Sequence, residues 1–151
     1  DIVNYVRKKY NLLIGERTAE TIKKSIGNAY KETGNISIDA KGRDLIAGIP
    51  KVVTLRSWEV ADAISGPVHT IVETIKSALL QTPPELGSDL VERGIVLSGG
   101  GSLLRNLDEV IRRATGLPVF LADNPLLSVV LSTKAIFEDI KVYEDLLVYH
   151  Q

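Results

Sequence analysis

Three consecutive glycines that follow an apolar strand are the residues of this chain best suited to binding chemistry. The segment GIVLSGGGSLL spans residues 94–104, and a helix is predicted to begin at Ser102. Glycines let the main chain approach a ligand closely and tolerate positive φ. A helix that began here would add unpaired N–H groups and the positive end of its dipole. The pattern predicts a cradle for a phosphate, a ribose or a purine edge, but it also fits a tight connection that binds nothing.

Composition argues against several other kinds of site. The 151 residues carry a net charge of −1, so the composition does not show the excess of positive charge that is typical of nucleic-acid-binding proteins. Cysteine is absent, which fits a reducing cytosol, and the two histidines, His69 and His150, are far apart in sequence. A thiolate or histidine metal site and a histidine-based catalytic triad are therefore not expected. No apolar stretch is long enough to span a bilayer.

Hydrophobic periodicity predicts helices on both sides of a small antiparallel sheet. Alternating apolar and polar residues predict a hairpin over 34–55, and apolar residues at helical spacing predict the helices. These helices cover 1–13, 17–29, 58–64, 67–81, 84–91, 102–114, 125–138 and 141–149, with Ser57 as an N-cap, a break at Gly66 and Pro67, and Gly116 as a C-cap. Strands at 94–98 and 118–122 flank one helix, which favours a parallel β–α–β unit. The order predicts two lobes, one of them a β insert.

Several ordered motifs resemble those of the MreB family of bacterial actin-like cell-shape proteins. They are YNLLIGERTAE at 10–20, GRDL at 42–45 followed by GIPK at 48–51, QTPPEL at 81–86, RGIVL at 93–97, GGGSLLR at 99–105 and TGLPV at 115–119. The resemblance weakens after Pro125. There SVVLSTK at 128–134 replaces a stretch of small residues that contains glycine in the family, which predicts a divergent paralogue.

The resemblance implies an α/β fold of the actin-like ATPase superfold, in which two large domains hold ATP and Mg²⁺ in the cleft between them. The chain is similar to the second domain only. Residues 1–29 and 57–151 would form a subdomain IIA-like lobe, and residues 30–56 a subdomain IIB-like antiparallel insert. The first domain, with the Mg²⁺ ligands, would be absent. We therefore expect a fragment that holds no catalytic residue or metal ligand and does not hydrolyse ATP alone.

The same resemblance implies a set of nucleotide-binding residues. The helix over 16–29 would face the adenosine, so that Glu20 accepts hydrogen bonds from ribose hydroxyls and the stem of Lys23 lies along the sugar or base. Lys24 is the next candidate. The main chain of Gly99, Gly100, Gly101 and Ser102 would pass beneath the α-phosphate and purine. Taken without the resemblance, Glu20 and Lys23 fit an ordinary surface ion pair.

By this resemblance the function would be that of a cytoskeletal filament subunit that polymerises with ATP. Such a protein is cytoplasmic, associates as filaments with the inner membrane, and works with cell-shape or wall-synthesis proteins. Its principal partner is itself, and the hairpin around 34–51 would lie at a subunit junction. Two alternatives stay open: a small-molecule kinase or other ATPase of the superfold, and a non-hydrolysing scaffold. A dinucleotide-binding domain does not fit, because the glycines lack the G-x-G-x-x-G spacing.

Overall fold

The computed structural model describes residues 1–31 and 36–138, so the helix predicted over 141–149 lies outside the described residues. The helices of this part are α1 (Ile2–Tyr10), α2 (Glu16–Ile26), α3 (Ser57–Gln81), α4 (Pro84–Arg93), α5 (Leu107–Thr115) and α6 (Ser128–Glu138). The strands are β1 (Leu12–Leu13), β2 (Ser37–Asp44), β3 (Pro50–Arg56), β4 (Ile95–Leu97) and β5 (Val119–Leu121). In this part of the chain, no helix is both long enough and apolar enough to cross a membrane.

An antiparallel sheet with the strand order β1-β2-β3 contains the predicted hairpin, which is confirmed. The third strand, β1, was not predicted, because helical spacing continues through Leu13. The helix ends earlier because Asn11 adopts a left-handed conformation with φ of 51°, which asparagine tolerates better than most residues. The chain then becomes extended and pairs with the end of β2, and Leu12 is completely buried.

Helix α3 passes through Pro67 without interruption, so the predicted break at Gly66 and Pro67 is wrong. Proline removes one helical hydrogen bond and strains the preceding turn. An apolar stripe that continues across the proline opposes this effect, since its side chains are buried on both sides, at Val60, Ile64, Val68 and Val72. Each such side chain stabilises the fold by about 1.5–3 kcal/mol, which together exceeds the cost of the proline.

The parallel pair of β4 and β5 confirms the predicted β–α–β unit, with α5 between the two strands. Just before the two strands begin, the main chain of Gly94 lies close to that of Pro118, and the φ of Gly94 is 72°. A Cβ atom there would lie 2.4 Å from the carbonyl oxygen of Pro118. The same carbonyl accepts a hydrogen bond from the N–H of Ile95 at 2.8 Å. Glycine is therefore required at this point for the two strands to pair.

One hydrophobic core joins the antiparallel sheet to the helices and to the parallel pair. Six elements, α1, β1, α2, β3, α3 and α5, each contribute one of its largest fully buried side chains. These are Val6, Leu12, Ile22, Leu55, Val60 and Ile111. Two of the helices contribute nothing that is fully buried, namely α4 and α6. The core therefore holds α2 and the α5 unit, which carry the predicted binding residues, in one packed body.

Candidate functional site

The glycine segment forms a single turn of 3-10 helix and does not start an α-helix. Residues Gly100–Leu103 make a 3-10 turn, and α5 begins only after Asn106, so the prediction of a helix from Ser102 is wrong. The buried hydroxyl of Ser102 donates a hydrogen bond back to the carbonyl oxygen of Gly99 at 2.7 Å, which closes the turn. The dipole of α5 therefore does not act directly at the glycines, and what remains there is exposed main chain.

The turn is anchored on one side and open on the other. The carbonyl oxygen of Pro125 accepts hydrogen bonds from the N–H of Gly99 at 2.8 Å and from the hydroxyl of Ser98 at 3.3 Å. A Cβ atom placed on Gly99 or Gly101 would have no neighbour within 4 Å, whereas one on Gly100 would lie 3.2 Å from Leu126. The main chain at Gly99 and Gly101 is therefore not covered on the side where a Cβ atom would point.

A small apolar pocket of ≈ 170 Å³ lies beside the turn. It is lined by Leu103, Asn124, Pro125, Leu126 and Leu127, and the three leucines are between half and two thirds exposed. Apolar walls next to bare main chain suit a group with one flat apolar face and one polar edge. No residue pattern singled this pocket out, because its walls come from two separate segments.

The three charged residues predicted on α2 lie together on its surface. The carboxylate of Glu20 contacts the ammonium of Lys23 at 2.7 Å and that of Lys24 at 3.5 Å. The hydrogen bond from Lys23 is the main influence on Glu20, and it holds the pKa of this carboxyl below its usual value. Without a ligand the group is the surface ion pair that the residue types alone suggest.

The end of α2 meets the chain that leaves the glycine turn, so the two predicted groups lie on adjoining segments. The N–H of Ala29 donates to the carbonyl oxygen of Arg105 at 2.8 Å, and the guanidinium of Arg105 donates to the carbonyl oxygen of Ser25 at 2.6 Å. The amide of Asn106 donates to the side-chain oxygen of Asn28 at 3.0 Å. We call these residues, with Gly27 and Leu104, the α2 junction.

The α2 junction was not predicted from the sequence, although one signal for part of it exists. Asn106 precedes a helix whose first turn carries Asp108 and Glu109. An asparagine before an acidic first turn indicates a helix start, and reading it would have placed the start of α5 correctly. The contact with Asn28 joins residues 78 positions apart, and no local pattern indicates it.

A second polar cluster surrounds the buried carboxylate of Glu59 at the start of α3. Its oxygens accept hydrogen bonds from the ammonium of Lys9 at 2.7 Å, from the N–H of Arg56 at 2.8 Å, and from the hydroxyl of Tyr10. Burial acts to raise the pKa of Glu59, but these donors outweigh it and lower the pKa overall. The ammonium of Lys9 also lies 4.7 Å from the ring of Trp58, a cation–π contact.

The Glu59 cluster is structural. Its donors tie α1 to the beginning of α3. The N-cap of α3 is Arg56, so the prediction of Ser57 as the N-cap is wrong. The hydroxyl of Ser57 instead donates to the carbonyl oxygen of Ile26 at 2.7 Å. Among residues 1–31 and 36–138, no group of three or more histidine, aspartate or glutamate side chains could hold a metal ion.

Comparison with known protein families gives a match over almost the whole chain. The model of the family described as MreB/Mbl protein matches residues 1–145. The cell shape-determining protein MreB of Escherichia coli K12 is 50% identical over 125 residues, which is 83% of this chain and 36% of that protein. The cell shape-determining protein Mbl of Bacillus subtilis 168 is 38% identical over 139 residues, or 92% of this chain and 42% of Mbl. The chain thus spans about two fifths of the length of these relatives.

Solved structures with the same fold carry bound adenine nucleotides. MreB5 of Spiroplasma citri bound to ADP matches with a TM-score of 0.88 and 35% identity, over 95% of this chain and 44% of that one. The same protein bound to AMPPNP gives a TM-score of 0.87. A non-polymerising mutant of MamK bound to AMPPNP matches with a TM-score of 0.64 and 25% identity, over 83% of this chain and 38% of that one.

Proposed function

This chain belongs to the MreB/Mbl family of actin-like cytoskeletal proteins, and from that premise we propose that it is the nucleotide-binding half of a filament subunit. ATP would bind between this half and a first domain that supplies the Mg²⁺ ligands. The subunit would polymerise at the inner membrane and maintain cell shape. Residues 1–29 and 57–151 would be the subdomain IIA-like lobe, and residues 30–56 the subdomain IIB-like insert.

The observation that carries this proposal is the open main chain of the glycine turn next to α2. A Cβ atom on Gly99 or Gly101 would meet no atom within 4 Å, which supports the approach of a ligand to the main chain there. The relatives with the same fold hold ADP and AMPPNP, which are molecules with a flat base and an anionic tail. The apolar pocket beside Leu103 would receive part of the base, and the main chain of Gly99–Ser102 would lie under the α-phosphate.

Glu20, Lys23 and Lys24 would face the ribose and base from the other side. Rearranging these three side chains costs little, because an exposed ion pair contributes little to stability. The carboxylate of Glu20 would exchange a lysine partner for ribose hydroxyls, which are hydrogen-bond donors of the kind it accepts. Because metal-assisted phosphoryl transfer depends on the metal site, we propose that the 151 residues alone do not hydrolyse ATP.

The test is calorimetric titration of ATP into the full-length protein and its Gly101→Val variant. A Cβ at Gly101 meets open space, so the variant should fold normally while the added side chain blocks the approach of the nucleotide. We expect affinity for ATP to fall by at least about tenfold, a difference of about 1.4 kcal/mol. Gly100→Val tests the same idea less cleanly, because Leu126 lies against that position.

The matched control is Gly87→Val on α4, where a Cβ also meets nothing within 4 Å. It should bind ATP as the parent protein does. Unchanged affinity in Gly101→Val would show that the nucleotide does not bind over the turn. If the parent protein fails to bind millimolar ATP but still forms filaments in electron micrographs, the non-hydrolysing scaffold is the correct function.

A further inference from the structure

The α2 junction joins the two halves of the proposed nucleotide site. We propose that Arg105 is a positioning residue which, with the Asn28–Asn106 pair, sets the spacing between the charged face of α2 and the glycine turn. It would adjust nucleotide affinity without contacting the nucleotide. This inference rests on the proposed function, because it assigns a role to residues that support the proposed nucleotide site without contacting the ligand.

Each half of the site is about one helical turn from the α2 junction. Lys23 and Lys24 lie in the last turn of α2, which ends at Ile26 and is capped by Gly27. On the other side, the N–H of Leu104 donates to the carbonyl oxygen of Gly101 at 3.1 Å. A small shift of the α2 junction would therefore move the lysines relative to the glycine main chain.

The α2 junction is tightly packed at its centre. A Cβ atom on Gly27 would lie 3.1 Å from the side chain of Leu104 and 2.2 Å from the carbonyl oxygen of Lys23. Asn28 is buried, and its side-chain oxygen accepts hydrogen bonds from both the N–H of Tyr30 and the amide of Asn106. Asn106 holds a left-handed conformation with φ of 59°. These features hold the inner part of the α2 junction together.

Arg105 forms the outer part of the same contact. Its side chain is exposed, and its guanidinium donates to the carbonyl oxygen of Ser25, in the last turn of α2. Such carbonyls have no partner within the helix itself, so a basic side chain beside the C-terminus stabilises them. Truncating the side chain leaves the main-chain bond between Ala29 and Arg105 intact. Arg105 is therefore the position at which the spacing can be loosened without unfolding the protein.

The experiment measures the affinities of ATP, ADP and AMP for the full-length protein and for Arg105→Ala. If the spacing is loosened, the affinities for all three nucleotides should fall by the same factor. We expect about fivefold, because the loss of one hydrogen bond has an effect of this size. Arg105→Lys should recover most of the loss, since an ammonium can donate one hydrogen bond to the same carbonyl. The control Arg93→Ala removes another exposed arginine, in the last turn of α4, and should leave all three affinities unchanged.

Three results would overturn the inference. Unchanged affinities in Arg105→Ala would show that the spacing does not depend on this side chain. A loss that grows with the number of phosphates and shrinks at high salt would show a direct charge contact instead. A large fall in melting temperature would show a merely structural role. If the parent protein binds none of the nucleotides, the proposed function itself fails, and this inference fails with it.

Discussion

Glu59 is a single residue whose surroundings determine both its pKa and its contribution to stability. Its carboxylate is buried and accepts hydrogen bonds from three different donors. Leaving such a charge without a partner costs more than the partner contributes when it is present. The ion pair with Lys9 is therefore expected to matter more to stability than the exposed pairs on α2.

Lys9→Met tests this expectation. We expect the free energy of unfolding at neutral pH to fall by about 1–3 kcal/mol, because Glu59 keeps its charge but loses one donor. The measurement is urea unfolding, with Lys24→Met as the control, since Lys24 is an exposed lysine whose partner is 3.5 Å away. Equal losses in the two variants would contradict the idea that burial makes the difference.

The pH dependence of the Lys9→Met effect has a defined sign. Because the folded protein lowers the pKa of Glu59, the stability that this carboxylate contributes is present above the usual glutamate pKa. It is lost as the pH falls through the lowered folded value. The difference between the parent protein and Lys9→Met should therefore shrink in that acid range.

At the scale of elements, α3 shows that a buried apolar stripe can keep a helix continuous through a proline. Pro67 itself is exposed, while Ile64 and Val68 on either side are buried. The helix continues because its apolar face has a core to pack against, and it does so with one hydrogen bond missing. Pro67 thus destabilises α3, but not enough to interrupt the helix.

Pro67→Ala should stabilise the protein. The alanine restores a helical N–H donor and relieves the ring clash at an exposed position, so we expect a gain of about 1–3 kcal/mol in the free energy of unfolding. Thermal or urea unfolding measures it. Gly66→Ala is the companion variant, because a Cβ there meets open space and the expected gain is only about 0.5–1 kcal/mol. A destabilised Pro67→Ala would show that the proline is itself required in α3.

At the scale of the whole molecule, the tip of the β2–β3 hairpin, residues 45–49, is an exposed apolar surface on a turn that is held by hydrogen bonds. Ile46 is 82% exposed and Ile49 is 61% exposed. The turn is held by Asp44, which accepts hydrogen bonds from the N–H groups of Ile46 and Ala47 and from the ammonium of Lys51. Lys51 is the main cause of the lowered pKa of Asp44, about 2, so this carboxylate is ionised at neutral pH. We propose that the tip contacts the next subunit, as a heterologous contact that builds an open polymer requires.

Ile46→Glu should prevent filament formation and leave the affinity for ATP unchanged. A charge at the centre of an apolar contact must be desolvated on assembly, which is costly. Sedimentation and electron microscopy of the full-length protein with ATP measure assembly. Thr74→Glu adds the same charge on the exposed face of α3 and should assemble normally. Filaments of normal yield from Ile46→Glu would place the subunit contact elsewhere.

Local patterns were sufficient to predict most elements of this fold. The hairpin, the parallel β–α–β unit and the C-cap at Gly116 follow from alternation, helical spacing and a glycine at a left-handed position. The ordered motifs were sufficient to indicate the family, which the match over residues 1–145 confirms. The nucleotide-binding roles of Glu20, Lys23, Lys24 and Gly99–Ser102 stay predictions.

The amino-acid sequence by itself determined most of the segments that are helical or extended, because periodicity and backbone preferences act over a few residues. Only the tertiary structure decided that α3 continues through Pro67, that Leu12 and Leu13 join the sheet, and that Ser102 closes a turn instead of starting a helix. It also decided that Asn28 meets Asn106. These outcomes depend on what packs against each segment, and packing partners distant in sequence leave no local signal.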